Sequence, residues 1–239
     1  LLLLVAPRAV VRLSPAARRQ SAVLGVVYGV AQVLQTTGLA HTAASVSGFI
    51  TGMYVVVTPL LAAVLLRNRI TVATWAAVVL AAAGLAVLSL DGFSVGYGEA
   101  LTLVAAILFA LHIVGLGAWA TEQDALGMSI LQVVVVAVIC LVASAPGGIV
   151  LPQTPADWTT VVYLAIFPAG LALLGQTWAQ AHLSATRTAI VMTTEPVFAA
   201  LFAVALGGES VTVRMVAGGL MVLGAMLLVE VGPRRRVEG

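Results

Sequence analysis

The stretch that decides the fold covers residues 176–209, an apolar segment of membrane length that is interrupted by a Glu-Pro pair. It begins QTWAQAHLSA at residues 176–185, and 141 residues upstream the chain reads QTTGLAHTAA at residues 35–44. Five of these ten positions are identical, and the pairing uses two of the three His residues of the chain. Each copy then runs into an apolar stretch with a proline, Pro59 in the first and Pro196 in the second. Such self-similarity at a fixed offset predicts an internal repeat.

The amino-acid composition predicts that this repeat lies in a membrane. Of the 239 residues, 62% are hydrophobic and 8% are charged, and there is no lysine. Soluble domains are about 25% charged, so these values predict a multi-pass membrane protein. The arginines lie in short loops and a tail rather than on one basic face, so no nucleic-acid partner is expected. Cys140 is the only cysteine, which excludes a disulfide or a cysteine-based metal site within the chain.

Eight apolar segments are each close to the roughly 20 residues that a helix needs to cross a bilayer. The predicted spans are residues 21–40, 43–66, 71–90, 97–120, 125–145, 158–181, 186–206 and 212–231. Residues 1–6 are expected to end an earlier helix, and residues 7–19 to form a polar, basic linker. A turn is expected over residues 91–96.

Arginine placement predicts the orientation of these spans. If residues 8–19 are cytoplasmic, strict alternation puts ten of the 11 arginines on the cytoplasmic side and leaves only Arg214 outside. By the positive-inside rule, this predicts a protein of the cell (inner) membrane with a cytoplasmic C-terminus.

The repeat also has a direction. Its two copies are shifted by five helices, an odd number, so they enter the membrane from opposite sides. Inverted repeats of this kind are typical of secondary transporters, which bind substrate near the midplane between the halves. We therefore expect an all-α bundle of two inverted five-helix repeats, with the first helix and most of the second missing. The predicted domains are residues 1–90, residues 97–231 and a basic cytoplasmic tail, residues 232–239.

Several short motifs resemble the EamA-like family of the drug/metabolite transporter superfamily. They are Gly98-Glu99, Glu195-Pro196-Val197, Gly208-Glu209, Gly218-Gly219 with Gly224, and the weaker Thr58-Pro59-Leu60-Leu61 with Gly84. One departure is Arg67-Asn68-Arg69, where many members have a Gly-Glu pair. The resemblance implies a ten-helix carrier with both termini in the cytoplasm, which exports amino acids, related metabolites or drugs by alternating access.

Glu195 is the main candidate for a substrate contact. It falls near the middle of its predicted span, where a carboxylate costs about 2.5–3.5 kcal/mol on insertion scales. It either meets a substrate amine or takes part in proton-linked transport. The alternative is a buried structural Glu that hydrogen-bonds backbone groups loosened by Pro196.

Five other polar or aromatic residues are candidate substrate contacts, and each has packing as its alternative explanation. They are His112, Gln35, Gln176, Trp178 and Tyr54. Two further patterns, Gly25-x-x-x-Gly29 and Gly48-x-x-x-Gly52, are expected to let helices approach closely.

A secondary transporter is the function that these features favour. An intramembrane enzyme is the first alternative, but the sequence has no HExxH and no pair of Asp residues in mid-span, and its GxSxG match, GFSVG at residues 92–96, falls in the expected turn. A sensor or assembly subunit is the second, although the sequence shows no soluble domain or long loop. The expected partners are a small-molecule substrate and the lipid bilayer, with a coupling proton or ion as a further candidate. No cofactor and no metal are expected, and the sequence does not indicate an oligomeric state.

Overall fold

The computed structural model describes residues 6–65, 71–91, 94–148, 151–182 and 192–231. Nearly all of them are helical. The helices are α1 Pro7–Arg12, α2 Pro15–Leu39, α3 Ala44–Gly52, α4 Tyr54–Leu65, α5 Val72–Ser89, α6 Tyr97–Trp119, α7 Ala125–Ser144, α8 Pro155–Leu164, α9 Ala172–His182, α10 Glu195–Ala205 and α11 Val213–Val231. A 3-10 turn, Ala145–Gly147, follows α7, and a π-helical segment, Ala165–Leu171, joins α8 to α9.

The chain is an all-α multi-pass membrane protein. Within the described residues, five helical segments are long and apolar enough to cross a membrane: Pro15–Leu39, Ala44–Leu65, Tyr97–Trp119, Ala125–Gly147 and Pro155–His182. Three shorter apolar helices correspond to α5, α10 and α11. Each predicted span therefore contains an apolar helix, although the seventh is described only from residue 192 onward. The predicted turn is a two-residue antiparallel pairing of Leu90–Asp91 with Ser94–Val95.

The prediction of a polar linker over residues 7–19 was wrong, because this segment is helical and partly buried. Pro7 and Pro15 each open a helix, the position where a proline costs no backbone hydrogen bond. The Ser14 hydroxyl accepts a hydrogen bond from the Ala17 amide at 3.1 Å and so caps α2. Leu13 and Ala17 are buried. The arginines of this segment thus lie on helices that also pack against the protein.

The structure divides into two compact units, and each combines segments from both halves of the sequence. The first contains Leu1–Val33 and Gly115–Thr188, and the second contains Leu34–Val114 and Ala189–Gly239. The first unit is centred on a cluster formed by Leu13, Ala17, Leu24, Leu116 and Met128.

Glycines allow close helix packing in the first unit. A Cβ on Gly25 would lie 2.8 Å from Val135 Cβ, and one on Gly29 would lie 2.9 Å from Ile139 Cδ1. Both contacts are shorter than side chains tolerate, so α2 and α7 approach at these two positions because the residues are glycines. The predicted role of this Gly-x-x-x-Gly pattern is confirmed.

In the second unit, glycines also allow close packing, here in two pairs of helices. A Cβ on Gly84 of α5 would lie 2.9 Å from the carbonyl oxygen of Gly218 in α11. A Cβ on Gly48 of α3 would lie 2.6 Å from Ala199 Cβ in α10, and one on Gly52 would lie 3.1 Å from Pro196 Cγ. The second Gly-x-x-x-Gly pattern therefore also permits close packing, here between α3 and α10.

Two local turns in the second unit fall within predicted spans. One is at Met53, between α3 and α4, and the other is at Thr193 and Thr194, just before α10. Met53 has helical backbone angles, φ −59° and ψ −17°, so Ala44–Leu65 is one apolar helical segment with a local irregularity. Neither turn is at a proline. Pro59 lies well inside α4, while Pro196 occupies the first turn of α10, where its missing N–H is tolerated.

Candidate substrate site

Glu195 and Tyr54 meet directly within the second unit. The Tyr54 hydroxyl donates a hydrogen bond to Glu195 Oε2 at 2.7 Å. Tyr54 is the first residue of α4 and Glu195 is the first residue of α10, so each directly follows one of the two local turns.

The two partners differ in their surroundings. Tyr54 is 3% exposed, and its ring is packed in the core of the unit. Glu195 is exposed, although protein atoms surround most of the space around its carboxylate. Glu195 is therefore the more exposed member of the pair.

No cationic side chain of the described residues accompanies the Glu195 carboxylate. Its hydrogen-bond donor there is the neutral Tyr54 hydroxyl. In the first turn of α10, Pro196 has no N–H, and the Val197 and Phe198 amides both donate to the Thr194 carbonyl oxygen at 3.1 Å. Arg187, the arginine nearest to Glu195 in the sequence, lies outside the described residues. A cationic group or a proton is a chemically suitable partner for this carboxylate.

A backbone carbonyl completes the arrangement. Met192 lies just before the turn at Thr193 and Thr194. The Tyr54 hydroxyl lies 3.5 Å from the Met192 carbonyl oxygen. The same hydroxyl therefore faces a carboxylate at short range and a backbone carbonyl at longer range.

Neighbouring groups hold this part of α3 and α4 in place. The Thr58 hydroxyl donates to the Tyr54 carbonyl oxygen at 2.7 Å. The Gln35 side-chain amide donates to Thr51 Oγ1 at 2.8 Å, and Thr51 is buried. Gln35 is half-buried, so its amide links α2 to α3 three residues before the tyrosine. The sequence did not single out Thr51, because a buried threonine has no distinguishing pattern.

The other candidate residues have separate locations. His112 is fully buried in α6 of the second unit. Gln176 and Trp178 belong to α9 of the first unit. Trp178 is 51% exposed and stacks on His182 with ring centroids 4.6 Å apart. Of the six candidates, Tyr54 and Glu195 are the pair in direct contact.

Two carboxylates at helix ends have structural partners that the sequence motifs did not indicate. Glu99, at the start of α6, accepts a hydrogen bond from the Thr42 hydroxyl at 2.8 Å. Glu209, which follows α10, accepts from the Ala44 amide at 2.6 Å and from the Ser45 hydroxyl. Ala43, the N-cap residue of α3, provides no side-chain cap, and Glu209 supplies that cap from a distant part of the chain.

Comparison with known proteins decides the family. A model of the EamA-like transporter family matches residues 1–90 and 96–231. The chain belongs to the EamA-like transporter family. The family match spans both α4 and α10, and hence both members of the Tyr54–Glu195 pair.

Similar proteins agree with membership of the EamA-like family. The chain is 28% identical over 213 residues to an uncharacterized transporter of Archaeoglobus fulgidus, a match that covers 87% of this chain and 67% of that protein. A protein crystal structure has a similar fold, with a TM-score of 0.61 at 16% identity, over 95% of this chain and 90% of the other. This EamA-like chain is therefore a membrane transporter whose helices form a fold that is already known.

Proposed function

We propose that this chain is a secondary transporter that exports small metabolites, either amino acids and related compounds or drugs, by alternating access between two inverted repeats. One observation carries the proposal. In a chain of the EamA-like transporter family, an exposed carboxylate, Glu195, lies at the start of the apolar helix α10 and within a predicted membrane span. A charged side chain inside a membrane span is costly unless it contacts a polar ligand, a proton or a water-filled cavity.

The positions of two local turns support this proposal. In many secondary transporters, irregular stretches of helix provide backbone groups for binding near the membrane midplane. Here the turn at Met53 directly precedes Tyr54, and the turn at Thr193 and Thr194 directly precedes Glu195. The repeated Gln-Thr and His positions are the ground on which we propose residues 1–90 and 97–231 as inverted repeats.

The proposed substrate contact is the Glu195 carboxylate, with a substrate amine or a coupling proton as its partner. Gln35, Gln176, Trp178 and His112 are further proposed contacts. In the proposed orientation the protein lies in the inner membrane with residues 232–239 in the cytoplasm. Alternating access would expose Glu195 in turn to the two sides of that membrane.

Transport by everted membrane vesicles tests the proposal. Labelled amino acids, polyamines and cationic drugs are offered to vesicles that contain the natural full-length protein and to vesicles from cells carrying the empty vector. We expect at least one of these compounds to accumulate above the vector control, since everted vesicles take up what the cell exports. If none does so under a proton or sodium gradient of either direction, the proposed export function is wrong.

A further inference from the structure

One carboxylate connects the start of α3 to the chain that follows α10. The Glu209 side chain accepts hydrogen bonds from the Ala44 amide at 2.6 Å and from the Ser45 hydroxyl. Gly208, just before it, has a φ of +72°, a value that glycine adopts without strain. The Glu209 amide donates to the Ala203 carbonyl oxygen at 3.1 Å, which folds the chain back over the end of α10. The backbone thus holds Glu209 where it meets α3.

From this carboxylate, the contact between α3 and α10 continues to the candidate substrate site. A Cβ on Gly48 would lie 2.6 Å from Ala199 Cβ, and one on Gly52 would lie 3.1 Å from Pro196 Cγ. Pro196 directly follows Glu195, so the two helices stay close up to that residue. These two glycine contacts and the carboxylate contact form a continuous line, which we call the α3–α10 seam.

The chemistry of the α3–α10 seam allows it to open at the Glu209 end. Contacts among glycine, alanine and proline residues can separate without leaving a polar group unpaired. The contact at Glu209 is polar, but Ala44 is exposed and Glu209 is half-buried, so water can replace each partner when they separate. Glu209 therefore makes a hydrogen-bonded contact that holds this end closed and that can be exchanged for water.

We infer that Glu209 is a positioning residue for transport: its contact with α3 keeps the seam closed at its own end, and its release lets solvent and substrate reach Glu195 from that side of the membrane. Glu209 acts through the placement of α3 against α10, since its partners are Ala44 and Ser45. Small sliding movements of packed helices are an established form of such transitions. The functional meaning of this contact rests on the proposed alternating access.

Thiol labelling at position 195 tests this inference without any substrate. Full-length protein with Cys140→Ser and Glu195→Cys is treated with a membrane-impermeant thiol reagent in intact cells and in everted vesicles. A separate Ser210→Cys protein identifies which preparation exposes the side of Glu209. On that side, we expect Glu209→Ala to raise the labelling rate at position 195 about fivefold, the population shift that loss of one helix cap produces. On the other side, the rate should not rise.

A milder variant guards against a Glu209→Ala protein that does not fold. Ser45→Ala removes one donor to Glu209 and should raise the labelling rate on the same side about twofold. Glu122→Ala, which removes an exposed carboxylate outside the seam, should leave both rates unchanged. Unchanged rates in every seam variant that folds, or an equal rise on both sides, as general loosening would give, would overturn the inference. Labelling needs no transport, so a failed transport assay would leave this result interpretable.

Discussion

At the scale of single residues, Glu209 shows how one side chain can fix a helix end. α3 begins at Ala44 without a side-chain cap from its own N-cap residue. The Glu209 carboxylate accepts from the Ala44 amide and also contacts Ser45, so it satisfies backbone donors that the helix leaves unpaired. Its negative charge also lies next to the positive end of the α3 dipole, which is a favourable interaction. Glu209 thereby fastens the loop after α10 to the start of α3.

Replacing Glu209 should therefore destabilise the protein. We expect Glu209→Ala to reduce the free energy of unfolding by about 1 kcal/mol, the usual value of an N-terminal cap. For a chain of this size, this corresponds to a fall in Tm of about 2–4 °C. Glu122→Ala is the matched control, since Glu122 is an exposed carboxylate in the turn before α7. Equal Tm values for the two variants in detergent would show that Glu209 does not cap α3.

At the scale of helices, the approach of α3 to α10 brings Tyr54 and Glu195 together. Gly48 faces Ala199, and Gly52 faces Pro196, where a side chain on either glycine would be too close. This close contact lies directly before the start of α4 and at the start of α10. The geometry of the pair therefore depends on two residues that have no side chain and no part in the chemistry.

A larger residue at this contact should separate the two helices. We expect Gly48→Val to cost about 1–3 kcal/mol through overpacking, and to lower Tm in detergent by several degrees. Gly117→Val is the matched control, because nothing lies within 4 Å of a Cβ on Gly117. If both variants unfold at the same temperature, close packing at Gly48 does not stabilise the protein.

The sequence predicts the helices better than the local turns within the spans. An apolar segment of about 20 residues is visible in the sequence, because a membrane span is defined by its own composition. The turn at Met53 is different, because Gly52, which precedes it, was interpreted as part of a packing pattern and not as a sign of a turn. It arises where α3 packs against α10, which is a contact between distant parts of the chain. The linker prediction failed for a similar reason, since Leu13 is buried by tertiary packing.

At the scale of the whole molecule, the offset of the sequence repeat can be compared with the positions of the candidate site residues. The offset is set by two Gln-Thr motifs and their following His residues. Applied to Tyr54, the same offset leads to Glu195, and the structure places these two side chains in contact. Pro59 and Pro196, which follow the two motifs, are 137 residues apart, so the sequence alone did not pair Tyr54 with Glu195. The hydrogen bond itself was not predictable, because it depends on how closely α3 and α10 approach.

Orientation is a property of the whole chain, and accessible cysteines can measure it. Cys140 is first replaced by Ser, and single cysteines are then placed at Gln153 and Gly239. In intact cells we expect a membrane-impermeant thiol reagent to label Gln153→Cys and not Gly239→Cys, since ten of 11 arginines favour that orientation. Permeabilised cells, in which both sites should react, provide the control. The reverse pattern in intact cells would invert the proposed topology.

The exchange of Glu195 for Gln tests the central claim most directly. The measurement is the initial rate of transport, in vesicles, of a cationic compound that the natural protein carries. Glu195→Gln keeps the size and hydrogen bonding of the side chain and removes its charge, so we expect normal expression and transport reduced roughly tenfold or more. Glu122→Gln, which removes an exposed carboxylate, should transport normally. A Glu195→Gln protein that transports at the natural rate at every pH would contradict the account and make Glu195 a structural residue.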